Sequence, residues 1–313
     1  MPVFGTNSIQ DASILKGVFE GFRALYDKQF SIGPSFDMSP YILDVPANTY
    51  VMNYEWLTGV PSMHKWIGNK KLRTAIQAHI YTVTSDMYEV TLVVQKRDIE
   101  TDQLGLYAPQ VAMLADEAKN HRLRLFAETL EANGTTFDNV ALFHASHPKE
   151  YADPSGNTTF SNTGSAALSL SALQTARLGM RKYTDGEGRL LGVSPNILMV
   201  PPDLEDTANQ LVYTAGPNRS LPGSANNDLN PIQRWGMEVV TNPYLTDTNN
   251  WYLFDTTKPV KPFIYQHRIE PHLVPLVDPA AEPVFMRNEF LYSVEADYTF
   301  AVAFPQVAYA SIV

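Results

Sequence analysis

A long amphipathic helix, predicted within residues 97–134, is the feature that most constrains the fold. This stretch reads RDIETDQLGLYAPQVAMLADEAKNHRLRLFAETLEANG. Seven apolar positions follow a period of 3.6 residues: Val111, Leu114, Ala115, Ala118, Leu125, Phe126 and Leu130. Pro109 is tolerated in a first turn, and Asn133-Gly134 is a plausible C-terminal cap. Such a helix spans roughly 35–40 Å, so it predicts a spine around which other elements are arranged.

Composition and charge exclude several classes of protein. The chain has 313 residues, of which 44% are hydrophobic and 18% charged, as expected for a globular protein with a real core. It contains no cysteine, which excludes disulfides, thiolate metal sites and cysteine nucleophiles. A net charge of -10, without a block of basic residues, argues against tight DNA binding. There is neither a long apolar run nor a signal-peptide pattern, so we expect the chain to stay in the cytoplasm.

The N-terminal region predicts a second helix over residues 8–29. Its apolar side chains, including Phe19 and Phe22, form a wide stripe along one face. Two interpretations remain open at this point. The helix either belongs to the core of the chain or forms an arm that docks on a neighbouring subunit.

A turn within residues 58–69 is surrounded by large apolar side chains. Glycine and proline require the chain to turn there, at Gly59, Pro61 and Gly68. The surrounding apolar residues are Trp56, Met63, Trp66 and Ile67. Because side chains of this kind are unusual at an exposed turn, they predict a loop that another molecule buries.

The remaining segments predict a mixture of helices and strands. Alternation of apolar and polar residues indicates strands at 76–80 and 88–94. A buried strand is expected at 196–200, and short strands at 237–240, 251–254 and 263–266. Helices are predicted at 169–184 and 203–214, and the apolar C-terminal stretch predicts a long strand. The fold class expected from this pattern is α+β.

The stretch LFHASHP, residues 142–148, contains His144 and His147 and raises the question of a metal or hydrolase site. A zinc site would need further ligands, and no spacing favours Glu150, Asp153, His267 or His272. Pro148 disfavours a helix, so a strand that runs into a loop fits better. We then expect Leu142 and Phe143 to pack inward and the histidines to hydrogen-bond to nearby backbone. Alanine at both histidine positions should leave bound metal and assembly largely unchanged.

Other enzyme signatures are weak. GEGRLLG, residues 186–192, does not follow a strand, and the chain has no Walker A sequence and no G-x-S-x-G elbow. A metal-dependent hydrolase that uses His144 and His147 stays open as the alternative to a structural protein.

Four stretches, in order, carry a resemblance to a known family. They are YEWLTGVPSMHKWIGNKK, YEVTLVVQKRDIETDQLGLYAP, LFHASHP and ILMVPPDLEDTANQLV, which span most of residues 50–213. Together they resemble the major head protein of Mu-like tailed bacteriophages, which has the HK97-type capsid fold. Thr58 departs from the family pattern, in which glycine is usual.

The resemblance implies a division of the chain into five parts. It implies an N-terminal arm over 1–45, an extended loop over 46–83 and a peripheral domain with the spine helix over 84–134. An apical domain over 135–285 and a return strand over 286–313 complete it. In this interpretation LFHASHP is a structural passage into the apical domain, and neither histidine is catalytic.

The resemblance also implies partners. The family builds icosahedral shells from hexamers and pentamers around double-stranded DNA, with a portal protein and, in some members, a decoration protein. Because the chain lacks a long charged N-terminal extension, we expect a separate scaffolding protein. No catalytic residue, metal or cofactor is expected, and the location is the virion. Subunit contacts are predicted for Trp56, Met63, Trp66, Ile67, Phe19 and Phe22. An encapsulin-like compartment shell shares the fold and stays an alternative.

Overall fold

The computed structural model describes most of the chain. The described residues are 12–34, 36–55, 80–100, 105, 107–149, 159–185, 188–213, 232, 235–278 and 280–313. Among them, no helix combines the length and the apolar character needed to cross a membrane.

The predicted spine is helix α3, and the helical prediction for this stretch is confirmed. The helices are α1 (Ala12–Phe30), α2 (Lys96–Glu100), α3 (Ala108–Ala132), α4 (Leu170–Arg181), α5 (Glu205–Tyr213) and α6 (Glu282–Arg287). With 25 residues, α3 is about 37 Å long. Proline lies in its first turn, and Asn133 ends it in the left-handed region at φ 50°, as the Asn-Gly pair predicts.

A four-stranded sheet packs against α3. Its strands, in spatial order, are β1 (Ile42–Pro46), β11 (Phe263–Leu276), β12 (Glu289–Val302) and β4 (Asp86–Gln95). β11 and β12 form a long antiparallel hairpin with α6 at its tip, and β1 pairs parallel to β11 at the edge. The strands predicted at 88–94 and in the C-terminal stretch are therefore confirmed as parts of β4 and β12.

A five-stranded sheet carries α4 and α5. Its strands, in spatial order, are β7 (Thr163–Gly164), β13 (Ala308–Ser311), β10 (Trp251–Phe254), β8 (Ile197–Val200) and β9 (Glu238–Thr241). All four residues of β8 and of β10 are buried, which explains their continuous apolar sequences. The short strands predicted at these positions are confirmed.

Two further pairs of short strands complete the described elements. They are β2 (Val51–Tyr54) with β3 (Tyr81–Thr84), and β5 (His147–Pro148) with β6 (Thr159–Phe160). In the first pair Tyr54 lies opposite Tyr81, so the chain leaves and returns at one place within the predicted loop 46–83. The Tyr54 hydroxyl donates to Gln266 Oε1 at 3.0 Å, which ties this base to β11.

The predicted boundary at 285–286 does not separate the two larger sheets. Residues 263–276 were assigned to the apical part, yet they form the central strand β11 beside β12 and β4. Residues 308–311 were assigned to the return strand, yet they pair with β10 and β7 in the five-stranded sheet. Composition and periodicity do not encode which distant strand supplies the hydrogen-bond partners. The five-part division of the chain stays a prediction.

The second half of α3 connects the two sheets. The Glu131 carboxylate accepts hydrogen bonds from the backbone nitrogens of Thr246 and Asp247 and from the Thr246 hydroxyl, at 2.7–3.0 Å. About three turns earlier, Asn120 Oδ1 accepts from the Tyr244 hydroxyl at 2.9 Å. The loop between β9 and β10 is thus fixed to the spine.

Candidate assembly surfaces

The LFHASHP stretch is held directly against the end of α3. The side chain of Asn133 donates to Phe143 O at 3.1 Å and accepts from Phe143 N at 2.7 Å. Leu142 and Phe143 are buried, as predicted from the sequence. His147 is fully buried and stacks on Phe160 with 5.2 Å between ring centroids, whereas His144 is exposed.

Both ring nitrogens of His147 are hydrogen-bonded. Nδ1 lies 2.8 Å from Asp138 Oδ2, and Nε2 lies 3.1 Å from Leu142 O. Because a carboxylate and a carbonyl are both acceptors, the two contacts are satisfied together when both nitrogens carry protons. The predicted bond to nearby backbone is confirmed, and the contact with Asp138 is a further finding.

Asp138 is a buried carboxylate with several donors around it. Burial alone would raise its pKa, but hydrogen bonds from His147, from the Thr136 hydroxyl and from Val140 N outweigh burial and lower the pKa of Asp138. The ionised carboxylate is therefore the form that the folded chain stabilises.

The stability that Asp138 contributes should depend on pH. Since its pKa is lower in the folded chain, this contribution is present above the ordinary aspartate pKa of about 4 and is lost as pH falls through the folded value. We expect the difference in unfolding free energy between wild type and Asp138→Asn to shrink below about pH 4. Urea unfolding of both proteins from pH 7 to pH 3 measures it; a constant difference would contradict an ionised Asp138.

The geometry around His144 and His147 does not provide a metal-binding set. Among the described residues, no group of three or more histidine, aspartate and glutamate side chains could hold a metal ion. Glu150 and Asp153 lie outside the described residues, and His267 and His272 lie on β11. With both nitrogens of His147 already engaged, the arrangement is that of a structural hydrogen-bonding centre.

Helix α1 packs on the body of its own chain. Phe22 is buried at 4% exposure, and its ring meets the Tyr292 ring edge-on at 5.0 Å. Phe19 is half-buried against the same cluster, which includes Val111 and Leu114 of α3. Phe22 therefore packs within its own chain, as the core-helix alternative describes. The subunit contacts predicted for Phe19 and Phe22 stay predictions.

Lys119 joins α3 to the end of α1. Its side chain is 8% exposed, and Nζ donates to Gln29 O at 3.0 Å and to Ile32 O at 3.3 Å. The same ammonium lies 2.9 Å from the Asp116 carboxylate, which also accepts from the Gln29 amide. Hydrogen bonds from Lys119 and Gln29 lower the pKa of Asp116. A cation at the carboxyl end of a helix is favourable because the last carbonyls there are otherwise unpaired.

Replacing Lys119 with methionine should loosen α1 specifically. Methionine keeps most of the packing but leaves the carbonyls of Gln29 and Ile32 without this donor, at a cost of about 1–3 kcal/mol. We expect faster hydrogen exchange in α1 amides while those of β12 are unchanged. The control is Lys16→Met, which removes only an exposed pair with Glu20 at 3.9 Å. Equal exchange in both variants would show that Lys119 does not hold α1.

The remaining predicted contact residues cannot be placed in the structure. Trp56, Met63, Trp66 and Ile67 lie outside the described residues. The structure describes the β2–β3 pair on either side of this segment. It also shows the hydrogen bond from Tyr54 to Gln266, which joins this pair to β11.

Comparison with known proteins decides the family. The sequence model described as "Mu-like prophage major head subunit gpT" matches residues 15–168, 163–245 and 230–312. The chain belongs to this family. The matched ranges include the four stretches quoted above, and the predicted resemblance to this family is confirmed.

Individual relatives agree with this assignment. The "Mu-like prophage FluMu major head subunit" of Haemophilus influenzae is 25% identical over 299 residues, covering 95% of this chain and 72% of the relative. The "Major capsid protein" of Escherichia phage Mu is 23% identical, covering 85% of this chain and 63% of that protein, which is slightly under two thirds of its length.

A solved structure confirms the fold. The chain in the "Procapsid of bacteriophage JBD30" superposes with a TM-score of 0.58 at 21% identity, over 96% of this chain and 76% of that one. The spine helix with two sheets is thus the HK97-type capsid fold, and the predicted fold class is confirmed.

Proposed function

We propose that the chain is the major structural subunit of a tailed-phage head and has no catalytic role. The observation that carries this proposal is the family match, which extends from residue 15 to residue 312. The buried, doubly hydrogen-bonded His147 supports it, because the residue that suggested a hydrolase serves the packing of the chain itself. The match favours a head subunit over a compartment shell.

The parts of the proposed subunit follow the sheets. The four-stranded sheet with α3 would be the peripheral domain, and the five-stranded sheet with α4 and α5 the apical domain. Residues 46–83 would be the extended loop, based on β2 and β3, and residues 1–45 the N-terminal arm. The chain would then cross from one domain to the other between β10 and β11, and cross back between β12 and β13.

The proposed assembly is a closed shell of hexamers and pentamers around double-stranded DNA. Its partners would be a portal protein and a separate scaffolding protein, with assembly in the cytoplasm of the bacterial host. A net charge of -10 suits a container that must not clamp its genome. A decoration protein stays a prediction.

Particle formation tests this proposal directly. The chain, produced together with its scaffolding protein, should sediment as very large particles and appear as closed shells by negative-stain electron microscopy. A chain that stays monomeric under all assembly conditions would refute the proposal.

Trp66→Ala should separate folding from assembly. If residues 46–83 extend away from the body, the melting of the free subunit should change little, while particle yield falls sharply. An aromatic anchor at a well-packed contact contributes roughly 2–4 kcal/mol, and a shell repeats each contact many times.

The matched control is Trp251→Ala. Trp251 is fully buried in the core of the five-stranded sheet, so its loss should lower the melting temperature strongly. If Trp66→Ala behaves like this control, and the protein that still folds assembles normally, Trp66 belongs to an internal core and the extended-loop assignment is wrong.

A further inference from the structure

A short antiparallel ribbon follows α4 and carries two exposed leucines. Its two sides are residues 183–185 and 188–191, joined by a hydrogen bond from Leu191 N to Tyr183 O at 2.9 Å. The Tyr183 side chain is buried, whereas Leu190 is 69% exposed and Leu191 is 36% exposed. The ribbon is therefore anchored in the core through one residue while its two leucines remain at the surface.

Two lysine ammonium groups are fixed beside these leucines. Lys149 Nζ donates to Thr184 Oγ1 at 2.9 Å, and Thr184 pairs with Leu190 across the ribbon. Lys258 Nζ donates to Leu191 O at 3.2 Å. A lysine ammonium has three N–H donors, and each of these two makes one hydrogen bond to a described residue. Each ammonium therefore offers further donors to an acceptor outside the chain, at a position that the ribbon defines.

The end of α4 adds two further cations next to the ribbon. Arg181 is the last residue of the helix and Lys182 its cap, and both are exposed. Leu178, one turn earlier, is 53% exposed and continues the apolar surface along α4. Burial and the nearby charge of Arg181 lower the pKa of Arg177, which shows that the potential at this end of the helix is positive. A cation is favourable at the carboxyl end of any helix, but this does not account for the two lysines that distant segments bring to the same place.

These cations have no acidic partner in the part of the chain that the structure describes. Asp185, the acid on the described sides of the ribbon, pairs instead with Arg189 at 3.0 Å. Unpaired cations gathered at one place contrast with the net charge of -10 of the whole chain. Exposed apolar side chains surrounded by polar ones are typical of a surface that another molecule covers. We call this group the basic leucine surface, and it comprises Lys149, Arg181, Lys182, Lys258, Leu190 and Leu191.

The chemistry of the basic leucine surface defines its partner. Carboxylates complement the four cations, and apolar side chains are needed to cover the leucines. A nucleic acid would satisfy the cations only, because interfaces with DNA are mostly polar and positively charged. We propose that the basic leucine surface binds an acidic segment of another protein, in which apolar side chains lie between the carboxylates. One subunit is sufficient for this binding, so it goes beyond the proposed function and does not depend on a shell.

Fluorescence anisotropy on the unassembled subunit tests this proposal with three labelled probes. They are a peptide of glutamate and leucine, the same peptide with serine in place of each leucine, and a short DNA duplex. The glutamate–leucine peptide should bind at least roughly tenfold more tightly than the glutamate–serine peptide, because only the first buries apolar surface. Absence of binding by the glutamate–leucine peptide would overturn the proposal. A duplex that binds as tightly as this peptide would identify a nucleic-acid surface and would overturn it as well.

Variants of the surface locate the binding. Arg181→Glu together with Lys182→Glu should weaken the glutamate–leucine peptide at least roughly tenfold and reduce the salt dependence of its binding. The matched control is Lys16→Glu together with Arg23→Glu, which makes the same change of charge at exposed positions of α1 and should bind like wild type. Leu190→Ser should weaken the glutamate–leucine peptide and leave the glutamate–serine peptide unchanged. Equal weakening in the α1 control would mean that the peptide responds only to the net charge of the chain, and would refute the proposed surface.

An introduced cysteine distinguishes the proposed partner from other occupants, since the chain has none of its own. In the unassembled subunit, Leu190→Cys should react with a maleimide as fast as Met113→Cys, a residue of α3 that is 69% exposed. Slow reaction of Leu190→Cys alone would mean that the chain covers its own surface. In particles that contain only this chain, Leu190→Cys should react as in the free subunit, and slow reaction there would make a second copy the occupant. Either result would overturn the proposal, whereas failure of the wild-type chain to form particles would refute the proposed head function and leave the peptide measurements unaffected.

Discussion

Replacing His147 with alanine is expected to lower the free energy of unfolding by about 3–5 kcal/mol. The substitution removes the histidine partner of the buried Asp138 carboxylate and leaves Leu142 O with one contact fewer. It also removes the ring that stacks on Phe160, in a place with no access to water. Urea or thermal unfolding of the purified subunit measures the loss.

His144→Ala is the matched control for this prediction. His144 is exposed, and its ring only accepts a local bond from Ser146 N at 3.1 Å, so its loss should change stability by at most about 0.5 kcal/mol. Similar small effects of the two substitutions would contradict a stabilising contact between His147 and Asp138.

The two histidines show where reasoning from sequence stops. The pattern correctly excluded a helix at 142–148 and placed Leu142 and Phe143 inside, because Pro148 and apolar character are local signals. It could not tell which imidazole is buried. That depends on Asp138, which is brought to His147 by a turn closed through Thr136 and Val140.

Lys119 and Phe22 illustrate the same limit in the helices. The 3.6-residue period identifies the apolar face of α3, but Lys119 lies at its edge and sequence alone suggests an exposed lysine. Its burial requires the carboxyl end of α1, about 90 residues earlier in the chain. The stripe on α1 likewise predicts that Phe22 is buried but not by which chain, because periodicity describes a surface and not its partner.

Sheet membership is the part of the fold that the sequence leaves open. Strands β8, β10 and β12 are evident from their apolar residues, since those signals are local. β11 pairs with β12, and β13 pairs with β10. The order of these strands along the chain does not indicate which of the two sheets each strand joins. The recognised family motifs end near residue 213, so they carry no information on how the later strands pair.

Phe126→Ala should be similarly costly, at about 3–5 kcal/mol, and should act at a distance from α3. Phe126 is fully buried, and its ring lies 5.1–6.0 Å from those of Phe36, Tyr41, Phe263 and Phe300. Thus one side chain joins the spine to two strands of the sheet and to the segment that leads into β1. The cavity left by alanine would remove packing contacts of Phe36 and Tyr41, which lie in the segment that leads into β1. We expect the loss to affect β1 first, because this edge strand is hydrogen-bonded to a neighbouring strand on one side only.

Hydrogen exchange can locate this effect within the chain. In Phe126→Ala the amides of β1 should lose protection more than those of β12, which has paired strands on both sides. Met113→Ala, on the exposed face of the same helix, should change stability by at most about 0.5 kcal/mol. If β1 and β12 lost protection equally, the N-terminal segment would be one cooperative unit with the sheet. The spine would then stabilise the subunit as a whole, and a head subunit could not release its first 45 residues without unfolding.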